Sequence, residues 1–321
     1  MQYECAPMEG VTGDLFRQVQ RRHFAAADQY YTPFLSPTAN RTFSPRELRE
    51  ILPEHNAGIR VIPQLMGHCA GDFLWMAGEL QAMGYDEVNF NLGCPSGTVV
   101  SKKKGSGLLA ERELLEQFLD TVFEKTPVAV SIKTRIGKKS ADEFPALLEL
   151  FNRYPVKELI VHPRVQTDQY GNRPNLEAFA LAQAQSRAPV CYNGDLFNAP
   201  AVQTFCAGFP QTERLMLGRG LAANPGLIGQ LQTGKPVTGA QLRDFHDDLY
   251  TETRRRIPDE RALLFRMKET WRYLGCSFQN AERSLKKIRK AKRLPEYESA
   301  VRDLFAACDV RPDAGYFVHT D

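Results

Sequence analysis

The chain has 321 residues, of which 43% are hydrophobic and 25% are charged, and its formal net charge at pH 7 is +3. This composition is ordinary for a soluble globular protein. No window approaches the ~18 consecutive apolar residues that a membrane span needs, and the N-terminal MQYECAPMEG lacks the basic region and apolar run of a secretory signal. We therefore expect a cytoplasmic protein without a membrane segment.

The cysteines argue against a disulfide scaffold and against a structural metal site. They are scattered and odd in number, and they form neither a CxxC pair nor a Cys/His cluster with zinc spacing. Reduced thiols and no bound metal are the expectation. The seven are Cys5, Cys69, Cys94, Cys191, Cys206, Cys276 and Cys308.

Eight short apolar runs, most of them rich in β-branched or aromatic residues, recur along the first 220 residues and predict strands. In chain order they are YECAPM, DQYYTP, RVIPQLM, EVNFNLG, VAVSIKT, ELIVHP, PVCYNG and RLMLGRG. Between most of them lie stretches with helical spacing, clearest at 72–84 and 111–125. Eight strand–helix units predict an α/β fold, the (β/α)8 TIM barrel. A doubly wound open sheet is the alternative, which the lack of a GxGxxG after the first strand disfavours.

The remainder of the chain predicts a small all-helical domain. A Gly/Pro/Thr-containing stretch at 232–240 reads as a linker, and helical patterns follow at 241–256, 259–275, 284–294 and 296–308. We predict a barrel domain over 1–235 and a helical domain over 240–321.

Polar residues follow seven of the eight predicted strands at the same end, where barrel enzymes place their chemistry. This agreement predicts a functional pocket. The residues are Met8 with Glu9, Gln64, Asn91 with Cys94, Lys133 with Arg135, His162 with Arg164, Asn193 with Asp195, and Gly218 with Arg219.

The residue types favour a phosphate-bearing heterocyclic ligand. The glycine-containing turns after strands seven and eight expose backbone N–H groups that suit a phosphate, and Arg219 adds a charge-assisted contact. Lys133 would stabilise negative charge on a ring such as a reduced flavin. Gln64 and Asn193 can each donate and accept hydrogen bonds at a heterocycle edge. The sequence offers no Ser–His–Asp arrangement and no P-loop.

Six motifs occur in an order and at spacings that closely resemble those of the tRNA-dihydrouridine synthases, flavin enzymes that reduce specific uridines in tRNA. They are APMEGVT (6–12), NFNLGCPS (89–96), SIKTRIG (131–137), VHPR (161–164), YNGD (192–195) and LGRG (217–220). The resemblance runs from residue 3 to about 220, and more loosely beyond. It implies an FMN-bound barrel followed by a helical domain that binds tRNA.

The resemblance also implies roles for individual residues. Cys94 is the implied catalytic acid, and Asn91, Arg135 and Arg164 line the substrate side. The implied cofactor-binding residues are Pro7, Met8, Glu9, Gln64, Lys133, His162, Asn193, Gly194, Asp195, Gly218 and Arg219. The chain departs from the family pattern at Asn89 (usually Asp), Pro163 (usually Gly), Gly97 (often Lys) and 102–104, where three lysines replace a glycine-rich run.

The implied reaction explains why a cysteine suits this position. NADPH would reduce the flavin, which would pass hydride to carbon 6 of a uracil that has left its stack. Carbon 5 then needs a proton. A thiol with a pKa near ~8.5 is mostly protonated at cytoplasmic pH, so Cys94 can act as a general acid.

Positive charge in the C-terminal quarter predicts contact with the RNA backbone. Seven of the eleven residues at 283–293 (RSLKKIRKAKR) are Lys or Arg. A continuous helix would place Lys286, Arg289, Lys290 and Arg293 on one face, which predicts tRNA binding. A merely solvated basic face is the alternative. We expect a monomer.

Two other functions remain open from the sequence. The first is an FMN barrel that reduces a small molecule, like dihydroorotate dehydrogenases or ene-reductases, although such a substrate needs no basic helical tail. The second is a non-catalytic RNA-binding relic, which the intact Cys94 and Lys133 disfavour.

Overall fold

A computed structural model describes residues 1–37 and 40–317. The chain forms two compact units, each built from separate stretches. The first comprises Met1–Pro7, Asp28–Gly194 and Gln211–Met216, and the second comprises Met8–Ala27, Asp195–Pro210 and the chain from Leu217 onward. The functional division at residues 235 to 240 stays a prediction.

Nine parallel strands form one sheet with the order β3-β2-β1-β9-β8-β7-β6-β5-β4. Their near-continuous burial is typical of a parallel sheet that is covered on both faces. The strands are β1 (Gln2–Cys5), β2 (Gln29–Tyr31), β3 (Val61–Ile62), β4 (Gln64–Leu65), β5 (Glu87–Leu92), β6 (Ala129–Arg135), β7 (Leu159–His162), β8 (Val190–Tyr192) and β9 (Arg214–Leu217).

The two ends of this sheet are halves of one interrupted strand. Only Pro63 separates β3 from β4, and proline cannot donate a ladder hydrogen bond. Its carbonyl still accepts the N–H of Asn89 at 2.9 Å. The sheet therefore closes into an eight-membered barrel. The predicted fold class is confirmed, and each of the eight predicted strands is present.

Helices connect the strands and make up the C-terminal part. The predictions over 72–84 and 111–125 correspond to α3 and α5. The helices are α1 (Asp14–His23), α2 (Pro45–Ile51), α3 (Ala70–Ala82), α4 (Gly97–Val100), α5 (Arg112–Lys125), α6 (Phe144–Phe151), α7 (Leu176–Gln185), α8 (Ala199–Gly208), α9 (Arg219–Ala223), α10 (Leu227–Thr233), α11 (Gly239–Arg256), α12 (Glu260–Leu274), α13 (Glu282–Lys290) and α14 (Leu294–Ala307).

A buried polar cluster lies inside the first unit. The ligand-type atoms of Glu4, Glu158 and Cys191 lie within 4.8 Å of one another. Gln29 Nε2 donates to Glu4 at 2.9 Å and to Glu158 at 3.1 Å, and Arg214 pairs with Glu158 at 3.0 Å. Burial, and next the negative charge of Glu158, raise the pKa of Glu4 well above its usual range. The buried environment therefore favours the neutral form of Glu4.

The C-terminal helices α11 to α14 share an apolar core that includes Leu263, Met267, Trp271 and Tyr297. The buried Tyr297 hydroxyl has two partners in this core. Trp271 Nε1 donates to it at 2.9 Å, and His246 Nε2 lies 2.7 Å away. Thr238 begins α11 with a capping box, which agrees with a linker that ends there. The described helices are each too short or too polar to cross a bilayer.

The helix predicted over 284–294 is present, but its predicted C-terminal end is wrong. Helix α13 ends at Lys290, and Ala291 leaves helical geometry with φ −56° and ψ 131°. Arg293 is instead the residue that precedes α14, in an extended conformation with φ −132° and ψ 153°. Pro295 lies in the first turn of α14, where its fixed φ favours a new helix start. The spacing predicts that Arg293 shares a helix face with Lys286. The structure contradicts this prediction, because Arg293 lies outside the helix.

Candidate active site

Amide side chains on neighbouring strands form a hydrogen-bonded chain in the first unit. Gln64 Nε2 donates to Asn89 Oδ1 at 2.8 Å, and Asn91 Nδ2 donates to Gln64 Oε1 at 2.6 Å. Asn89 Nδ2 in turn donates to Ser131 Oγ at 3.0 Å. All four residues are buried. The chain of bonds fixes the orientation of the Gln64 amide, whose predicted role toward a cofactor ring stays a prediction.

Asn91 caps the end of β5 and thereby fixes the backbone of Cys94. Its Oδ1 accepts the N–H groups of Gly93 and Cys94, each at 3.0 Å. The strand ladder ends here, so a side chain satisfies donors that would otherwise lack a partner. Cys94 itself is partly exposed. Cys94 thus lies on a fixed turn at a partly exposed position.

The loop after Cys94 folds back, and its last part binds the backbone carbonyl of Cys94. The backbone N–H of Ser106 and its hydroxyl both donate to the Cys94 carbonyl, at 3.1 and 2.7 Å. Gly105 has a φ of +54°, and a Cβ there would lie 2.9 Å from the Cys94 oxygen. Glycine is required at this position for both reasons. The loop that departs from the family pattern is therefore anchored at both ends.

Lys133 supplies an uncompensated positive charge. Its side chain on β6 is partly buried, and no hydrogen-bond acceptor or carboxylate contacts the ammonium anywhere in residues 1–37 and 40–317. Burial, and next the charge of Arg135, lower the pKa of Lys133 from 10.5 to about 8. It remains mostly charged at pH 7. Such a group suits a ligand that carries or develops negative charge.

Arg135 uses its guanidinium on the protein itself. It donates from Nε to Gly93 O at 2.9 Å, from Nη1 to Val165 O at 2.9 Å and from Nη2 to Gln169 O at 2.6 Å. Burial lowers its pKa to about 10. Arg135 therefore ties the turn that carries Cys94 to the loop after β7. Its predicted contact with substrate stays a prediction, and three of its donors already have acceptors.

His162 and Arg164 contact each other at the end of β7. Arg164 Nη1 lies 3.0 Å from His162 Nε2, and because an arginine can only donate, Nε2 accepts. The imidazole is therefore neutral, with its proton on Nδ1. Arg164 also donates to the carbonyls of Gly171 and Asn172, at 2.8 and 2.7 Å. Like Arg135, it is buried and braces a loop, and its predicted role on the substrate side stays a prediction.

Asn193 and Gly194 end β8 in a tightly packed turn. Asn193 Nδ2 donates to Met216 O at 2.8 Å, and its backbone N–H donates to Val161 O at 2.9 Å. A Cβ at Gly194 would lie 2.8 Å from the Tyr192 hydroxyl oxygen. A side chain at this position would therefore have to displace the Tyr192 ring. This compactness is compatible with the predicted close approach of a ligand to the backbone, which stays a prediction.

The turn that contains Met8 and Glu9 belongs to the second unit. The Met8 carbonyl accepts the N–H groups of Val11 and Thr12, at 2.9 and 3.0 Å. Gly10 has a φ of +76°, and its carbonyl accepts a hydrogen bond from Arg266 Nη1 of α12. Glu9 is exposed. Pro7, which ends the first segment of the other unit, is partly exposed.

Asp195 and Arg219 form an ion pair in the second unit. Arg219 Nη2 lies 2.9 Å from Asp195 Oδ1. The Arg219 guanidinium carbon is 4.7 Å from the ring centre of Phe197 and 5.2 Å from that of Tyr316. Gly218 directly precedes α9, which begins at Arg219. Two aromatic rings thus hold a partly exposed guanidinium at a helix start. Its predicted contact with a phosphate stays a prediction.

The basic residues of α13 are available at the surface of the second unit. Lys286, Arg289 and Lys290 are exposed. Lys287 instead pairs with Asp303 at 2.9 Å. Arg293, beyond the helix, pairs with Glu296 at 2.9 Å.

A model of the family described as Dihydrouridine synthase (Dus) matches residues 4–305. This chain belongs to the dihydrouridine synthase family. The predicted family and the prediction that the chain is an enzyme are confirmed, because the match covers nearly the whole chain.

Curated members of the dihydrouridine synthase family align with most of the chain at moderate identity. A tRNA-dihydrouridine(16) synthase of Pseudomonas putida is 29% identical over 77% of this chain and 78% of its own length. A probable tRNA-dihydrouridine synthase 1 of Synechocystis is 28% identical over 71% of this chain and 63% of its own length, which is less than two thirds of that relative. A tRNA-dihydrouridine synthase B of Pasteurella multocida is 24% identical over 71% of this chain.

Solved structures share the fold of this dihydrouridine synthase family member at low identity. Morphinone reductase superposes with a TM-score of 0.51 and 14% identity, over 74% of this chain and 86% of its own. TcOYE gives a TM-score of 0.51 and 11% identity, over 74% and 90% of the two chains. These similarities support the barrel fold alone.

Contacts made by three residues were not predicted from the sequence of this dihydrouridine synthase family member. Ser106 holds the Cys94 carbonyl, and Arg266 binds the first turn from 256 positions away along the chain. Tyr170 lies with its ring centre 5.6 Å from the Arg135 guanidinium carbon. None belongs to a predicted strand end. Only Ser106, beside the required Gly105, carried a local signal.

Proposed function

We propose that this protein is a tRNA-dihydrouridine synthase. It reduces the carbon 5–carbon 6 double bond of uridine in tRNA, with FMN as its cofactor and NADPH as its reductant. Relatives that are named tRNA-dihydrouridine synthases support the substrate. The observation that carries the proposal is the Lys133 ammonium, which has no acceptor among the residues that the structure describes. Lys133 pairs with Asn91 across β5 and β6, and Asn91 caps the turn of Cys94. A cation near a cysteine with a fixed backbone suits a reaction in which the substrate is first reduced and then protonated.

The donor set of the chain fits a flavin. A reduced flavin ring gathers negative charge, and Lys133 is a cation for which the described residues provide no counterion. A solved structure of morphinone reductase contains tetrahydroNAD, which supports a nicotinamide reductant in this fold. We assign Pro7, Met8, Glu9, Gln64, Lys133 and His162 to the ring, and we assign Asn193, Gly194, Asp195, Gly218 and Arg219 to the ribityl chain and phosphate.

The chemistry that a bound flavin supplies is hydride transfer from the nicotinamide to carbon 6 of the uracil ring. Carbon 5 then takes the proton of the Cys94 thiol, and the resulting thiolate regains a proton from solvent. Asn91 and Ser106 hold the backbone N–H and the carbonyl of Cys94, so the point from which the thiol extends is set before substrate binds. Lys133 would hold its positive charge beside the flavin ring.

A tRNA substrate also supports a cytoplasmic location and a role for α13 in RNA binding. We propose that Lys286, Arg289 and Lys290 contact phosphates. Arg293 can join them only from outside the helix, because it lies in the extended segment between α13 and α14. A monomeric, metal-free enzyme is part of the proposal.

The test combines a visible spectrum with dihydrouridine formation in tRNA from cells that lack this modification. The purified protein should be yellow, oxidise NADPH and reduce the tRNA. Cys94→Ala should keep the flavin spectrum and lose product formation by about 100-fold or more. Cys69→Ala, at an exposed cysteine with no proposed role, is the matched control.

Each contrary outcome has a separate meaning. A colourless protein that makes no dihydrouridine would contradict the proposed function. Full tRNA reduction by Cys94→Ala would leave the function intact and remove Cys94 as the acid. NADPH-dependent reduction of an activated alkene such as 2-cyclohexenone, without any tRNA reduction, would instead favour the small-molecule reductase.

A further inference from the structure

Phe265 is the most exposed large apolar side chain in the second unit among the residues that the structure describes. It lies on α12 and is 71% exposed. Helical spacing places Arg261 four residues before it and Arg272 seven residues after it on the same face, and both are exposed. Glu269, four residues after Phe265, is a partly buried acid on that face. This face of α12 therefore presents an aromatic ring between two arginines, and the face carries a net positive charge.

Helix α12 joins two parts of the second unit that have proposed roles. On one side, Arg266 donates to the carbonyl of Gly10, in the turn that holds Met8 and Glu9. On the other side, Lys268 Nζ donates to the carbonyl of Ala291, directly after α13. An RNA that reaches from the basic surface of α13 toward the first turn must therefore pass α12.

We propose that Phe265 stacks on an unpaired base of the tRNA substrate, with Arg261 and Arg272 contacting the neighbouring phosphates. This inference rests on the proposed function for the identity of the RNA. Exposed aromatic rings among cations are the usual platform for unpaired bases, since every base offers a face for stacking. A protein partner fits less well, because one ring flanked by charged residues is not the contiguous apolar patch that such interfaces use.

The experiment separates stacking from hydrophobic contact and from charge. Phe265→Ala, Phe265→Leu and Phe265→Trp are compared for dihydrouridine formation in tRNA from cells that lack the modification. Stacking predicts that the Ala and Leu variants raise KM for tRNA by about five- to hundredfold, with less than about twofold change in kcat. Phe265→Trp should stay within about twofold of the parent. Leu176→Ala, at an exposed leucine of α7 that is 44% accessible, is the control and should not change KM.

A binding measurement keeps this test independent of turnover. The Trp variant should show fluorescence quenching when the tRNA is added, even if the parent makes no dihydrouridine, so the two proposals can fail separately. An unchanged KM in Phe265→Ala would overturn the inference, as would a Leu variant as good as the Trp variant. A change in oligomeric state on Phe265→Ala, with tRNA affinity intact, would point to a protein partner and also overturn it.

Discussion

Asn91 Oδ1 lies 3.0 Å from the backbone nitrogen of Cys94 and accepts its hydrogen bond. The same oxygen accepts the N–H of Gly93, and the Asn91 amide donates to Gln64 Oε1 at 2.6 Å. One side chain thus connects the proposed acid to a proposed cofactor residue. We therefore expect Asn91 to act through Cys94 as a positioning residue, whether or not it also contacts uracil.

Asn91→Ala should reduce dihydrouridine formation by about 10- to 100-fold, because a thiol displaced by ~1 Å donates its proton poorly. Asn91→Asp retains an acceptor oxygen for the two N–H groups and should recover part of the loss. The measurement is single-turnover reduction of tRNA by the pre-reduced enzyme, together with the rate of Cys94 alkylation by iodoacetamide. A positioning role requires the alkylation rate to change as well. An Ala variant within twofold of the parent in both would exclude it.

Lys133→Met should stabilise the flavin-free protein while weakening flavin binding. The pKa of Lys133 is lowered from 10.5 to about 8, so between these values the unfolded chain binds more protons than the folded chain. Stability of the parent should therefore rise with pH across this window, and the charged group should cost about 1–3 kcal/mol at pH 7. Urea unfolding of flavin-free protein at pH 7 and 9 measures this.

The matched control for Lys133 is Lys157→Met, at an exposed lysine just before β7. It should change neither stability nor flavin content. Flavin content per protein, from the visible spectrum, should fall only for Lys133→Met. A Met variant that retains flavin as well as the parent would exclude Lys133 from the cofactor site.

Glu4→Gln should remove a pH dependence of stability that belongs to the buried cluster. Burial and Glu158 raise the pKa of Glu4 in the folded state, so stability is full below the ordinary carboxyl pKa and is lost as pH rises through the raised value. The Gln variant should thus gain at least about 1 kcal/mol over the parent at pH 8 relative to pH 5. Urea unfolding at the two pH values tests this, with exposed Glu54→Gln as the control. Equal slopes in parent and variant would mean that Glu4 is ionised.

Lys286→Ala with Lys290→Ala should weaken tRNA binding and flatten its salt dependence. Removal of two phosphate contacts should lower the slope of log K against log salt by about 1 to 2. Lys287→Ala is the matched control, because its ammonium already pairs with Asp303. Arg293→Ala should have a smaller effect, since Arg293 pairs with Glu296 outside the helix. An unchanged slope in the double variant would mean that this basic face serves solubility only.

Periodicity predicted the barrel because parallel strands that are buried on both faces leave a strong local signal. It could not show that Pro63 splits the third strand, since β3 and β4 read as one apolar run. Nor could periodicity show that the Arg135 guanidinium donates to three backbone carbonyls. Strand alternation predicts the direction of a side chain but not its hydrogen-bond partners. The sequence does contain a signal for the end of α13, because Pro295 favours the start of a new helix near Leu294. The Glu4 cluster joins residues from distant strands and leaves no local signal.

The loop at 95–104 is held at both of its ends by residues that lie outside it. Asn91 and Arg135 fix its entry, and Ser106 fixes its exit on the carbonyl of the same cysteine. Because residues outside this segment hold the Cys94 backbone, we expect substitutions at its exposed positions to leave that backbone in place. Such substitutions could thus change which nucleotide the loop contacts while the proposed acid keeps its position.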